Sequence, residues 1–99
     1  PGYGAAKAAV VQMTKALAVN YARSNIRVNA VSPGLVASNM TAPMLSVEAI
    51  TQAHLDRTPQ NRVGSADEIS PAVLFLASQG SKFTTGHTLV VDGGFSAKG

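Results

Sequence analysis

Tyr3 and Lys7 stand four residues apart at the start of an alanine-rich run. On a helix that spacing places one side chain above the other on a single face. A phenol normally titrates near 10, too high to exchange a proton readily at neutral pH. An ammonium roughly 6 Å away, at an effective dielectric near 20, favours the phenolate by roughly 3 kcal/mol. The positive end of the helix acts in the same direction. The pair therefore reads as a general acid/base with its own tuner. Taken alone, Tyr-x-x-x-Lys more often marks a half-buried Tyr beside a solvated Lys, so the neighbouring elements must decide.

Residues 4–23 are predicted to form one long helix, rich in Ala, with Leu17 and Lys15 as further good helix formers. Val10, Met13, Leu17 and Tyr21 form an apolar stripe at helical spacing. Ala5, Ala9, Ala16 and Val19 make the other side apolar as well. Such a helix is normally covered on both sides, by a core or by another subunit. Asn25 suits a left-handed stop. A strand is predicted over 26–31, ended by Ser32-Pro33-Gly34. Residues 35–45, with Pro43, read as loop. Ser46 is placed to cap a short helix to about His54, with Glu48 in its first turn. Ser65-Ala66-Asp67-Glu68 is a capping box opening a helix to about Ser78. Pro71 removes one donor there and bends the helix slightly. Thr88-Leu89-Val90-Val91 reads as a short buried strand, stopped by Asp92-Gly93-Gly94. This order predicts an α/β fold with two parallel strands joined by a right-handed crossover.

The composition, 45% hydrophobic and 13% charged, excludes a disordered chain. The net charge of +3 is scattered from Lys7 to Lys98, which argues against a nucleic-acid partner. With no cysteine there are no disulfides or thiolate metal sites, and the chain suits a reducing, cytoplasmic compartment. No apolar run approaches the ~20 residues of a membrane span, and no membrane partner is expected. No pair of His or carboxylates has metal-ligand spacing, so no metal site is predicted. The opening Pro1-Gly2-Tyr3, without Met, reads as a fragment or a processed product. His54 reads as a surface residue of an amphipathic helix, and His87 as packing near the last strand. Asn29 either orients backbone or satisfies local hydrogen bonds. Asp92-Gly93-Gly94 reads as a strand-ending turn, at a subunit contact.

The run Tyr3-Gly4-Ala5-Ala6-Lys7, followed by Ile26-Arg27-Val28-Asn29-Ala30-Val31-Ser32-Pro33-Gly34, resembles the second half of the short-chain dehydrogenase/reductase family. The likeness continues through Arg62-Val63-Gly64 and Val73-Leu74-Phe75-Leu76-Ala77-Ser78. It ends in Gly86-His87-Thr88-Leu89-Val90-Val91-Asp92-Gly93-Gly94, and is weakest between Met44 and Gln60. Several motifs in order make the match specific. In tone it is closest to 3-oxoacyl-carrier-protein reductases and sugar dehydrogenases.

The resemblance implies the C-terminal part of a Rossmann-like doubly wound parallel sheet, with residues 1–99 as one half of a single domain. It implies an NAD or NADP cofactor and a small alcohol or carbonyl substrate. Tyr3 would exchange a proton with the substrate oxygen while hydride moves to or from the nicotinamide. Lys7 would hold the ribose hydroxyls and tune Tyr3. Pro33 and Gly34 would form the turn beside the nicotinamide, the Gly allowing close backbone approach. The backbone of Val36 would bind the carboxamide. Ser38 stands where relatives usually have Thr, and its hydroxyl would reach the same carboxamide. Asn39, Met40 and Thr41 would line the nicotinamide and phosphate edge, and residues 40–60 would form a substrate lid. Ala6 departs from the usual Ser or Thr. The Gly-rich pyrophosphate turn, the substrate-polarising Ser and the relay Asn have no match here. The expectation is thus a parent enzyme, homo-oligomeric as a dimer or tetramer, and an inactive, poorly soluble fragment. The alternative is a non-enzymatic oligomerisation or interaction unit derived from such an enzyme.

Overall fold

The computed structural model describes residues 2–97, with the side chain of Tyr3 outside that description. Helix α1 spans Gly2–Tyr21 and strand β1 Ala30–Pro33. Helices α2, α3 and α4 span Ala42–Leu45, Glu48–Asp56 and Ala66–Ala77, and strand β2 spans Thr88–Val91. Tight 3₁₀ turns follow α1 over Ala22–Ser24 and α4 over Gln79–Ser81. The chain divides into two compact units, residues 1–31 with 73–89 and residues 32–72 with 90–99. Both strands and α4 run from one unit into the other.

Helix α1 ends two residues before the predicted boundary, but by the predicted means. Asn25 takes the left-handed conformation at φ 60°, and its N–H donates to the Ala22 carbonyl at 3.1 Å. The buried face differs from the expectation. Thr14 and Ala18 are buried, with Lys7 and Val11 half-buried on the same stripe. Val10, Met13, Leu17 and Tyr21 stay exposed among the described residues, Met13 at 57%. The reason is size. A Cβ added at Gly86 would stand 3.4 Å from the Ala18 Cβ, so this turn reaches α1 only over a small side chain. Thr14 tolerates burial because its hydroxyl donates to the Val10 carbonyl at 2.8 Å.

Strand β1 lies later than the predicted 26–31. Over Val28 and Asn29, side chains substitute for ladder bonds. The Val28 N–H donates to the Thr85 hydroxyl at 3.1 Å. The Asn29 amide donates to the Thr84 carbonyl at 3.0 Å, and its oxygen accepts the His87 N–H at 3.0 Å. Backbone bonds then run from Ala30 N–H to the His87 carbonyl and from Gly34 N–H to the Val91 carbonyl, each at 2.9 Å. The offset is the same in both, so β1 and β2 are parallel neighbours, as expected of α/β order.

Residues 42–45, read as loop, form the short helix α2. Pro43 sits in its first turn, where a missing N–H costs nothing, so it starts the helix instead of breaking it. Ser46 does not cap α3. Its hydroxyl donates back to the Pro43 carbonyl at 2.6 Å, and α3 starts after extended Val47. The glutamate half of the capping box at α4 forms: the Glu68 carboxylate accepts the Ser65 N–H at 3.0 Å and hydroxyl at 3.3 Å, while the Glu68 N–H donates to the Ser65 carbonyl at 3.0 Å and not to its hydroxyl. Helix α4 carries Pro71 in its interior and closes on Arg27. The Arg27 guanidinium reaches the Leu76 carbonyl at 2.8 Å, the Ser81 hydroxyl at 3.1 Å and the Ser78 carbonyl at 3.3 Å. It thereby satisfies carbonyls left open at the end of α4 and its following turn.

Candidate functional site

Lys7 lies in the first unit, half-buried on the α1 face that also buries Thr14 and Ala18. The backbone of Tyr3 belongs to the same helix, one turn earlier. The proton-transfer role expected of the Tyr3 side chain falls outside the described residues. The run from Pro33 to Thr41 lies in the second unit.

Within that run, Pro33 ends β1 and Gly34 presses against the end of β2. A Cβ at Gly34 would come to 2.8 Å from the Asp92 Cα and 2.9 Å from its Cβ. Sequence reasoning assigned this Gly to ligand approach, but the crossing of Asp92 alone already excludes any side chain. Val36 forms a parallel bridge with Gly64, built by Gly64 N–H to the Leu35 carbonyl at 2.9 Å and Ala37 N–H to the Gly64 carbonyl at 3.1 Å. The peptide N–H and C=O of Val36 itself therefore face away from Gly64.

On that other side Ser38 and Thr41 gather around Val36. The Thr41 hydroxyl donates to the Val36 carbonyl at 2.6 Å and accepts the Ser38 N–H at 3.0 Å. The Ser38 hydroxyl accepts the Thr41 N–H at 3.2 Å, and the two hydroxyls stand 3.2 Å apart. The structure thus brings three of the expected cofactor residues into one hydrogen-bonded cluster. Chemically the cluster orients the Val36 carbonyl, which keeps a second lone pair, and the exposed Ser38 hydroxyl.

A pocket of about 620 Å³ opens on the Gly64 side of Val36, lined by Gly34, Val36, His54, Arg62, Gly64 and Asp92 among others. Arg62 and Glu68 neutralise each other there, with N–O distances of 2.8 and 2.6 Å. The Arg62 hydrogen bonds, and after them the Ser65 N–H, hold the Glu68 carboxyl well below its usual 4.5, at about 2. The carboxylate in turn raises Arg62. The strand-ending turn expected at Asp92-Gly93-Gly94 forms, with Gly93 and Gly94 at φ of 66° and 94°. Asp92 accepts the Gly94 and Ser96 N–H groups there.

His54 is half-buried and not the plain surface residue expected. Its ring stacks on Phe95 with centroids 4.5 Å apart and planes 8° apart. No local spacing links these two rings, and sequence reasoning missed Phe95 altogether. It also missed the Arg27 clamp, for which an Arg opening a strand after a helix stop was the one available hint. Among the described residues no cluster of His, Cys, Asp and Glu could hold a metal ion. No helix among them is long and apolar enough to cross a membrane.

A family model described as Enoyl-(Acyl carrier protein) reductase matches residues 1–96. The chain is 46% identical over 94 residues to a galactitol 2-dehydrogenase (L-tagatose-forming) of Cereibacter sphaeroides, covering 95% of this chain and 37% of that protein. It superposes with a TM-score of 0.90, at 39% identity, on a 2-deoxy-D-gluconate 3-dehydrogenase structure from Agrobacterium tumefaciens with bound NADP. A 4-hydroxyisoleucine dehydrogenase complexed with NADH gives a TM-score of 0.88 at 32% identity. These two matches cover 98% and 96% of this chain but only 39% of each neighbour.

Proposed function

Because the chain belongs to the short-chain dehydrogenase/reductase family, we propose that it is the C-terminal part of an NAD- or NADP-dependent enzyme interconverting an alcohol and a carbonyl. The observation carrying this reading is the family match along residues 1–96, joined to the hydrogen-bonded cluster of Val36, Ser38 and Thr41. Its share of its relatives' length, 37–39%, supports a longer parent.

When bound, the nicotinamide dinucleotide supplies the hydride acceptor or donor. In reduction the Tyr3 hydroxyl gives its proton to the substrate oxygen, and in oxidation it takes that proton back. The Lys7 ammonium stabilises the phenolate and holds the ribose hydroxyls. Val36 and Ser38 would hold the dinucleotide's carboxamide, Pro33 and Gly34 would flank its ring, and Thr41 would contact its phosphate edge. Substrates are small polyols or their keto forms, a preference supported by the sugar-alcohol and sugar-acid dehydrogenases among the relatives. A homo-oligomeric, cytoplasmic parent is supported by the exposed stripe at Met13 and Leu17 and by the absence of cysteine from the sequence.

The test is Tyr3→Phe in the full-length protein, with NADP or NAD and galactitol as probes. Turnover falls by about 10²–10⁴-fold, while cofactor binding by fluorescence titration is unchanged. Retained turnover would remove Tyr3 from proton transfer.

A further inference from the structure

We propose that Phe95 is a positioning residue: its ring pins helix α3 and so fixes one wall of the pocket that Val36 also lines. The C-terminal turn grips the end of α3 and its exit at several points. The Gln60 N–H donates to the Gly93 carbonyl at 3.0 Å. A Cβ at Gly93 would meet the Thr58 methyl at 3.0 Å, and one at Gly94 would meet the Pro59 ring at 2.9 Å, so backbone lies directly on these side chains. Thr58 is buried and its hydroxyl donates to the His54 carbonyl at 2.9 Å, which closes the last turn of α3.

Phe95 adds a side-chain grip on the helix from this turn. Its ring stacks on His54 at 4.5 Å, and the Arg57 guanidinium carbon stands 5.0 Å from the same ring centroid. Both geometries lie in the attractive range for aromatic stacking and for a cation over a π face. His54 and Arg57 are three apart, so one ring engages two residues of the same helix face. His54 and Thr58 form the pocket wall, and Gly34 and Val36 line the same pocket. A shift of α3 therefore changes the shape of this pocket and the wall that faces Gly34 and Val36. Helix α3 has no side-chain cap and contains no buried residue, so its position depends on its contacts with α2 and on the C-terminal turn.

The pin itself stands on contacts within the second unit; its effect on substrate rests on the proposed dehydrogenase reading. The experiment measures both in the full-length protein, by amide hydrogen exchange of α3 and by steady-state kinetics with galactitol. In Phe95→Leu, exchange over residues 52–58 accelerates about tenfold, equivalent to about 1.4 kcal/mol, while β2 amides keep their protection. His54→Ala produces the same acceleration from the other side of the stack. Phe95→Tyr, which keeps the ring, restores wild-type exchange. The KM of Phe95→Leu rises about tenfold with kcat little changed. Unaltered α3 exchange in both Phe95→Leu and His54→Ala would overturn the pin. Accelerated exchange with an unchanged KM would overturn the coupling to the pocket. A wild-type protein without dehydrogenase turnover would sink the proposed function instead, with the exchange data still deciding the pin.

Discussion

Gly34 and Asp92 cross so closely that a single methyl group cannot fit between them: its carbon would lie 2.8 Å from the Asp92 Cα. Gly34 also donates its N–H to Val91 at 2.9 Å, so the crossing is locked by the sheet and cannot slide apart. The glycine is required by close approach of backbone rather than by a left-handed turn. Gly34→Ala in the full-length protein is expected to lower stability by about 1–3 kcal/mol through overpacking. Urea denaturation measures it. A stability equal to wild type would show that β2 can yield at Asp92.

Arg27 is the second structural test. Its guanidinium, half-buried, reaches acceptors on Leu76, Ser78 and Ser81, and the Ser81 side chain is itself buried. Removing the fork leaves those carbonyls without a charged donor. Arg27→Ala is expected to cost about 2–3 kcal/mol. Arg27→Lys recovers only part, because one ammonium cannot span the separated acceptors. Thermal denaturation of the two variants gives the comparison, and an Arg27→Lys protein as stable as wild type would contradict the fork.

What the sequence revealed was mostly short-range. The Asn25 stop, the glutamate half of the Ser65–Glu68 box and the strand-ending turn at Asp92-Gly93-Gly94 each depend on residues within a few positions, and each forms. The misread features depend on distant partners. Which stripe of α1 is buried follows from the approach of Gly86, and the late start of β1 from Thr84, Thr85 and His87. The His54 stack needs Phe95, which no periodicity connects to it. At the candidate site, the motif run from Pro33 to Thr41 was legible by resemblance, but the bond from Thr41 to Val36 was not. A hydroxyl five residues from its acceptor carries no pattern of its own.

That bond supplies a prediction about ligand affinity. The Thr41 hydroxyl holds both the Val36 carbonyl and the Ser38 N–H, so it fixes the peptide groups proposed to take the carboxamide. Thr41→Val keeps the shape and removes both bonds. Cofactor affinity in the full-length protein is expected to fall about 5–30-fold, the effect of about 1–2 kcal/mol. Thr41→Ser retains the hydroxyl and stays near wild type. Isothermal titration with NADP and NAD reads the difference, and an unchanged affinity for both would detach Thr41 from the site.

Glu68 supplies the pH dependence. Its carboxyl titrates at about 2 in the folded chain against an ordinary 4.5, held down chiefly by the Arg62 hydrogen bonds. The folded state thus binds this proton less readily than the unfolded state does. The resulting stabilisation is fully present above about pH 4.5 and is lost as pH falls toward about 2. The effect is modest, because the two side chains are 52% and 41% exposed and water screens the pair. Glu68→Gln should therefore lower the urea midpoint at neutral pH and have progressively less effect on approaching about pH 3. Added salt should shrink the neutral-pH difference as well. A deficit in Glu68→Gln that grows on acidification would reverse the sign of this linkage, and the bidentate contact with Arg62 would not be its source.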